Sequence, residues 1–460
     1  MGEIKLKLHE YQKKTIAFCK GKESVILAID MGLGKTTSIL HYIDEVKPNS
    51  VLIIAPKRVA TNVWMQEAEK WGLQDIYDKM VVVEGTPKQR EALWQDISKP
   101  YKIVGRDNFK DYENHECDLL VVDELTTAKN VQAKRTQSIL SVRAKQKIGL
   151  TGTFTNTGED IFGQAKAVGL FNDKRINFYS WRAFYFKNVL ANTGLKFQKW
   201  VLRKEYKLDD LLKPIRKSIF TLDADDWLEM PEYTFNKHLI NLTKPEMTEY
   251  MRLQTMLQIN LDGVMHSVKE QAKGAKIIQS VNGFIYDKEG VAHRGKDSTK
   301  LEQVADFVES AVSEGEKVLI FYAYKEEVLW LSEKLDKRGI TYCSPNAKNF
   351  IEKFRDEVDC LIAHPMSAGH GIDRLQHFCR VIVWSSLTWS LELFMQSNSR
   401  VVRQGQKRNV SINIFACKDT IEEKVYEALT KKEDMHDEFI ELTKTTKAEG
   451  IPAGTQLKLF

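Results

Sequence analysis

Residues 30–36 read Asp-Met-Gly-Leu-Gly-Lys-Thr, directly behind the apolar run 25–29 and ahead of a helix-like stretch over 37–46. That spacing has the parts of a cradle for a nucleoside triphosphate. Gly32 and Gly34 let backbone N–H groups curl around phosphate oxygens, Lys35 reaches the β- and γ-phosphates, and the Thr36 hydroxyl takes a place on Mg2+. The general phosphate-loop pattern wants a further Gly where this chain has Ile29, so a second motif is needed.

Residues 118–126, DLLVVDELT, supply it. Four apolar residues that end in two carboxylates read as a buried parallel strand carrying both acids to its C-terminal edge. There Asp123 would hold Mg2+ and Glu124 would polarise the attacking water. The alternative is a helix N-terminus with acidic residues in its first turn.

These residues need a frame, and the chain offers two. Apolar strand candidates alternate with helix-period stretches over 25–29, 51–55, 80–83, 119–123 and 146–150, and again over 318–322, 360–363, 381–384 and 411–415. Such alternation is the signature of parallel sheets built from βαβ units, so two α/β domains are expected. With 460 residues the chain is also too long for one core. The expected division is a first domain over 1–155, a mostly helical insertion and linker over 156–300, a second domain over 301–445, and a tail over 446–460.

The insertion is aromatic and Lys-rich, as in WRAFYFKNVL (181–190) and FQKWVLRKEY (197–206). Cations mixed with flat rings suit a nucleic-acid groove, and they equally suit a helical subdomain with an aromatic core and solvated lysines.

Overall charge says little about partners: 68 Lys and Arg against 63 Asp and Glu leave only +5, so any nucleic-acid surface is a local patch. The six cysteines show no CxxC pair or metal-like spacing, which points to buried thiols in a reducing compartment and away from zinc. There is no bilayer-length apolar run and no signal-peptide core; Gly2 opens like a myristoylation site, but Leu6 stands where Ser or Thr is wanted. A cytoplasmic protein is the expectation.

Further segments fall into a recognisable order: LHEYQ (8–12), VLIIAPKRVATNVWMQEAEKW (51–71), LTGT (150–153), KVLIFYAY (317–324), AHPMSAGHGID (363–373) and QSNSRVVRQGQ (396–406). With MGLGKT and the paired carboxylates, this resembles the superfamily II helicase-like ATPases, and most closely the Swi/Snf-like DNA translocases, over nearly the whole chain. The resemblance implies two RecA-like domains and assigns roles to matching positions. Gln12 lies near the adenine; Lys35 and Thr36 meet phosphates and Mg2+; Asp123 and Glu124 serve hydrolysis; Thr151 and Thr153 sense the nucleotide and couple the domains, with Gln396; Gly371 and Asp373 belong to a loop on the nucleotide and DNA. Arg400 and Arg403 reach across the cleft as arginine fingers, although alone they would also read as an i, i+3 basic helix face. His364 and His370 are expected to make structural hydrogen bonds only.

Three departures from the family pattern bear on substrate coupling more than on hydrolysis. Ile29 and Asp30 stand for the usual Asp-Glu, Leu125 and Thr126 for Ala-His, and Phe154 for Pro. The short chain looks like a minimal bacterial or bacteriophage version of the engine. Its last residues, Gln456, Leu457, Lys458, Leu459 and Phe460, resemble the bacterial sliding-clamp binding peptide, although a tail packing back on the protein is the alternative. The expected function is DNA-stimulated ATP hydrolysis coupled to movement on duplex DNA. Strand separation on DNA, or on RNA, is the rival, and an ATP-binding adaptor that recruits a clamp is the alternative from another class.

Overall fold

The computed structural model describes residues 6–443, apart from 113, 156, 174, 190–199, 262–263, 268–272, 369–371 and 373. They form two compact units, one of residues up to Leu228 together with those from Lys432 onward, the other running from Glu229 to Lys431.

The first unit is built on β1 (Ser24–Ile29), β2 (Val51–Ala55), β3 (Met80–Val83), β4 (Tyr101–Gly105), β5 (Glu116–Asp123) and β6 (Arg143–Thr151), then a small hairpin of β7 (Phe186–Asn188) and β8 (Trp200–Leu202), then β9 (Ile219–Leu222). Seven of these strands form one parallel sheet in the order β3-β4-β2-β5-β6-β1-β9. Helices cover a parallel sheet on both faces, so its strands are apolar almost without interruption: Val25 to Ile29 and every residue of β2 are buried.

The second unit contains β10 (Tyr233–Ile240), two short hairpins of β11 (Gln258–Leu261) with β12 (Val264–Ser267) and β13 (Phe284–Tyr286) with β14 (Ala292–Arg294), and then β15 (Lys317–Phe321), β16 (Tyr342–Cys343), β17 (Cys360–Ala363), β18 (Cys379–Trp384) and β19 (Val410–Cys417). Its main sheet is also parallel, in the order β10-β19-β18-β15-β17-β16. Two helix-covered parallel sheets are the architecture expected of two RecA-like domains.

The stretch 156–300 is shared between the two units. Residues up to Leu228 complete the first unit, with β9 pairing beside β1, and β10 opens the second unit by pairing with β19. The physical reason is edge pairing: each strand satisfies its backbone groups on a sheet. The aromatic segment is divided between core and surface. Trp181 and Phe186 are buried in the first unit, Arg182 lies 4.2 Å from the Trp200 ring centroid, and Tyr179 and Phe184 remain exposed. The long helix Ile421–Thr443 begins in the second unit and ends in the first, where Phe439 packs on Phe154.

All six cysteines are buried and unbridged, and burial pushes the thiols of Cys19, Cys117 and Cys379 up to about 12. No helix among the described residues is long and apolar enough to cross a membrane. In the second unit Lys300, wholly buried, forms an ion pair with Glu422 and donates to Ser386 Oγ at 3.3 Å.

Candidate active site

At the C-terminal edge of the first sheet, β5, β6 and β1 lie side by side, with Asp123 opposite Leu150 and Ala28 opposite Thr151. Three chain segments leave that edge: residues 30–34 after β1, Glu124 and Leu125 after β5, and residues 152–155 after β6. Ligands of open α/β sheets bind in such crevices.

The loop after β1 turns through two left-handed glycines, Gly32 (φ 85°) and Gly34 (φ 69°), and the helix Lys35–Val46 starts at once. Its first N–H groups and the positive end of its dipole face outward from Gly34, which suits phosphate. Gly34 is required twice over. Besides its φ, a Cβ there would lie 2.5 Å from Gln12 Nε2. Gln12 is buried and is oriented by His9, whose N–H donates to Gln12 Oε1 at 2.8 Å. Lys35 Nζ donates to the carbonyls of Ile29 (2.7 Å) and Asp30 (3.3 Å), so the ammonium is parked on the cradle's own backbone. Thr36 follows in the first turn, half-buried.

Asp123 ends β5 buried. One carboxylate oxygen accepts from Trp64 Nε1 at 3.2 Å, the other from the Glu124 N–H at 3.1 Å. Burial raises its pKa; the Lys35 charge, the Trp64 bond and the Glu124 amide pull it down. A desolvated carboxylate in the field of Lys35, with Thr36 in the same cradle, fits a Mg2+ brought in by nucleotide phosphates, which needs only one or two protein groups. Among the described residues no set of three or more His, Cys, Asp or Glu side chains gathers into a metal cage.

Glu124 sits at φ 57°, a left-handed conformation that costs a non-glycine residue about 1–2 kcal/mol. Strain of this kind clusters at functional positions, and here it turns the chain out of β5 directly after Asp123.

After β6, Thr151 Oγ1 donates to the Thr153 carbonyl (2.9 Å) and accepts from the Thr153 N–H (3.1 Å), closing a tight turn. The Thr153 hydroxyl is buried without a hydrogen-bond partner, a polar atom left for something else to satisfy. Phe154, where the family pattern has Pro, is filled in by Phe439 at a ring separation of 5.0 Å.

The first unit thus brings together Gln12, Gly32, Gly34, Lys35, Thr36, Asp123, Glu124, Thr151 and Thr153. The second unit carries Gln396, Arg400 and Arg403. Its helix Leu391–Asn398 is capped by Ser390 and tied to β18 by Trp384 Nε1 donating to Asn398 Oδ1 at 3.0 Å. Gln396 is buried on it. Arg400 and Arg403 lie beyond its end, in a turn, so they do not form a basic helix face; Arg400 donates to the Ile372 carbonyl at 3.3 Å. His364 accepts from the Met366 N–H at 3.2 Å, a local structural bond. Gly371, Asp373, His370 and the tail residues Gln456, Leu457, Leu459 and Phe460 lie outside the described residues.

Trp64 was not singled out from the sequence; a Trp inside an amphipathic helix gives no hint of the distant strand its indole will meet. The tie from Asp30 to Ala224 was equally hidden. Ala224 N–H donates to Asp30 Oδ2 at 2.9 Å. Burial, with Asp223 and Asp225 nearby, pushes Asp30 up to about 7 against the pull of that bond and of Lys35.

The sequence pattern of the SNF2-related domain matches residues 11–292 of this chain. Protein p41 of Acyrthosiphon pisum secondary endosymbiont phage 1 is 27% identical over 443 residues, covering 90% of this chain and 94% of p41. An uncharacterized ATP-dependent helicase of Mycoplasma pneumoniae is 23% identical over 93% of this chain, which spans 42% of that relative. The human DNA repair and recombination protein RAD54B is 22% identical over 96% of this chain, which spans 56% of it. The chain therefore belongs to the SNF2-related family of ATP-hydrolysing enzymes.

Proposed function

We propose that this protein hydrolyses ATP in response to DNA and uses the turnover to move along the duplex. The observation that carries the reading is the single sheet edge on which the phosphate loop, Asp123 with Glu124, and the Thr151–Thr153 turn stand together. Membership of the SNF2-related family supports it, as do relatives named as an ATP-dependent helicase and as a DNA repair and recombination protein.

In this reading the Gly34 loop and the helix N-terminus bind the phosphates while Gln12 lies beside the base. Lys35 leaves the Ile29 and Asp30 carbonyls for the β- and γ-phosphates. Asp123 and Thr36 hold Mg2+, which screens phosphate charge when bound. Glu124 orients and deprotonates the attacking water. Arg400 and Arg403, borne by the other unit, meet charge developing on the γ-phosphate, and Thr151, Thr153 and Gln396 link that event to domain motion. Gly371 and Asp373 contribute to the nucleotide and DNA side of the second unit. Contacts to DNA are mainly to phosphates, since a motor on a lattice cannot depend on base identity. The tail, through Gln456, Leu457, Leu459 and Phe460, recruits the protein to a bacterial sliding clamp.

The test is ATP turnover with no nucleic acid, blunt duplex DNA, single-stranded DNA and RNA. Duplex should stimulate most. Stimulation by single strands with none by blunt duplex moves the reading to strand separation, an equal or larger response to RNA moves it to an RNA helicase, and no turnover under any condition leaves the adaptor.

A further inference from the structure

Asp30 is one of the positions at which this chain departs from its family, and it is tied twice to the segment after β9. Its N–H donates to the Leu222 carbonyl at 3.0 Å, and its carboxylate accepts from the Ala224 N–H at 2.9 Å. Its own carbonyl accepts from Lys35 Nζ. One residue therefore joins the phosphate-binding lysine to residues 222–224.

The same segment is held again a turn later. Asp223 caps the short helix Ala224–Trp227 by accepting from the Asp225 N–H at 3.0 Å. Trp227 then meets the Tyr11 ring edge-on at 5.6 Å, with Lys14 Nζ 5.2 Å from its indole centroid. Tyr11 precedes Gln12, the residue packed on Gly34. After Leu228 the chain passes into the second unit.

Residues 222–227 are thus strapped to the phosphate loop at one end and to the Gln12 helix at the other, immediately before the chain leaves the first unit. We propose that Asp30 is a positioning residue that transmits occupancy of the phosphate cradle to this exit segment. The proposal rests on the ATP reading above. When Lys35 swings from the Ile29 and Asp30 carbonyls to phosphate, the end of β1 loses two charge-assisted bonds, and the shift of Asp30 is passed to Leu222 and Ala224 through the two hydrogen bonds that join them.

Ala224→Pro tests this from the far side of the bond. Ala224 is the first residue of its helix, where Pro is tolerated, and Asp223 (φ −90°, ψ 133°) already has the extended conformation that a following Pro requires, so the variant removes the N–H with little other change. Hydrogen exchange of peptides spanning 222–228 is measured in the full chain with and without a non-hydrolysable ATP analogue and Mg2+, alongside duplex-stimulated turnover. The parent should show nucleotide-dependent exchange there. In Ala224→Pro and in Asp30→Ala that dependence should vanish and turnover should fall about 2- to 30-fold, the range of such couplings. Analogue affinity of Ala224→Pro should stay within about two-fold of the parent, and Asp30→Asn, which keeps an oxygen acceptor, should retain the response. If exchange over 222–228 in the parent ignores the nucleotide, or Ala224→Pro turns over like the parent, the proposal is wrong. A parent that neither binds the analogue nor hydrolyses ATP overturns the function itself, and the parent measurements alone reveal it.

Discussion

Trp64 Nε1 and Asp123 Oδ2 lie 3.2 Å apart, both buried, so an indole from the helix Lys57–Lys70 fixes the carboxylate at the end of β5. The bond stabilises the ionised form, opposing the upward push of burial. Trp64→Phe keeps most of the apolar volume and loses the donor. Asp123 then rises further, so the acid limb of the pH–rate profile should move to higher pH, with turnover at neutral pH down on the order of 10-fold. An unchanged acid limb would separate Trp64 from the chemistry.

Asp30 titrates in the folded protein near 7, against an ordinary value of 3.8. Between those values the folded state holds a proton that the unfolded chain has released, so this carboxyl lowers stability as pH rises from about 4 to about 7, and the loss is complete above. Asp30→Asn should therefore match the parent in Tm near pH 4 and exceed it by on the order of 5 °C at pH 8. Thermal melts across that range would contradict the argument if the two curves ran parallel.

Arg400→Ala and Arg403→Ala should each lower ATP turnover on the order of 10³-fold while leaving nucleotide affinity nearly intact, as expected of cations that act on the transition state. Glu124→Gln should trap bound ATP. Parental turnover in Arg403→Ala would remove it from the active site.

The Lys300–Glu422 pair is buried on both sides. Lys300→Met alone leaves a buried carboxylate unpaired and should cost about 3–5 kcal/mol in denaturant titration, whereas Lys300→Met with Glu422→Leu should recover most of the loss. A double variant as unstable as the single would show that Ser386 and its neighbours, not the charge, carry the penalty.

Removing residues 456–460 should abolish association with a bacterial sliding clamp and spare DNA-stimulated turnover. One short peptide should bind at roughly micromolar Kd, because five residues can bury only a few side chains. Calorimetry on intact and truncated chains decides: equal binding, or none by either, ends the clamp reading.

Strands whose side chains are apolar throughout were legible to the residue: 51–55, 80–83 and 360–363 coincide with β2, β3 and β17. β4 was concealed by Lys102, which a buried strand should not contain; its ammonium escapes by donating to the Leu93 and Asp96 carbonyls. β10 was missed because Tyr233, Phe235 and Leu239 alternate toward the surface on an edge strand. The glycine turn before the helix Lys35–Val46 and the strand that ends at Asp123 were readable because local spacing dictates their backbone. What orients them was not, since Trp64 reaches 59 residues along the chain to Asp123, and Ala224 reaches 194 to Asp30.

Phe439 and Ile440, near the end of the described chain, lie in the same core as Ile26 and Phe154 from its first third. A ribosome must therefore deliver the second unit whole before the last strip of the first exists. Until then Phe154 waits without its ring partner, and a nascent chain stopped at Leu228 presents that bare apolar patch to chaperones and proteases.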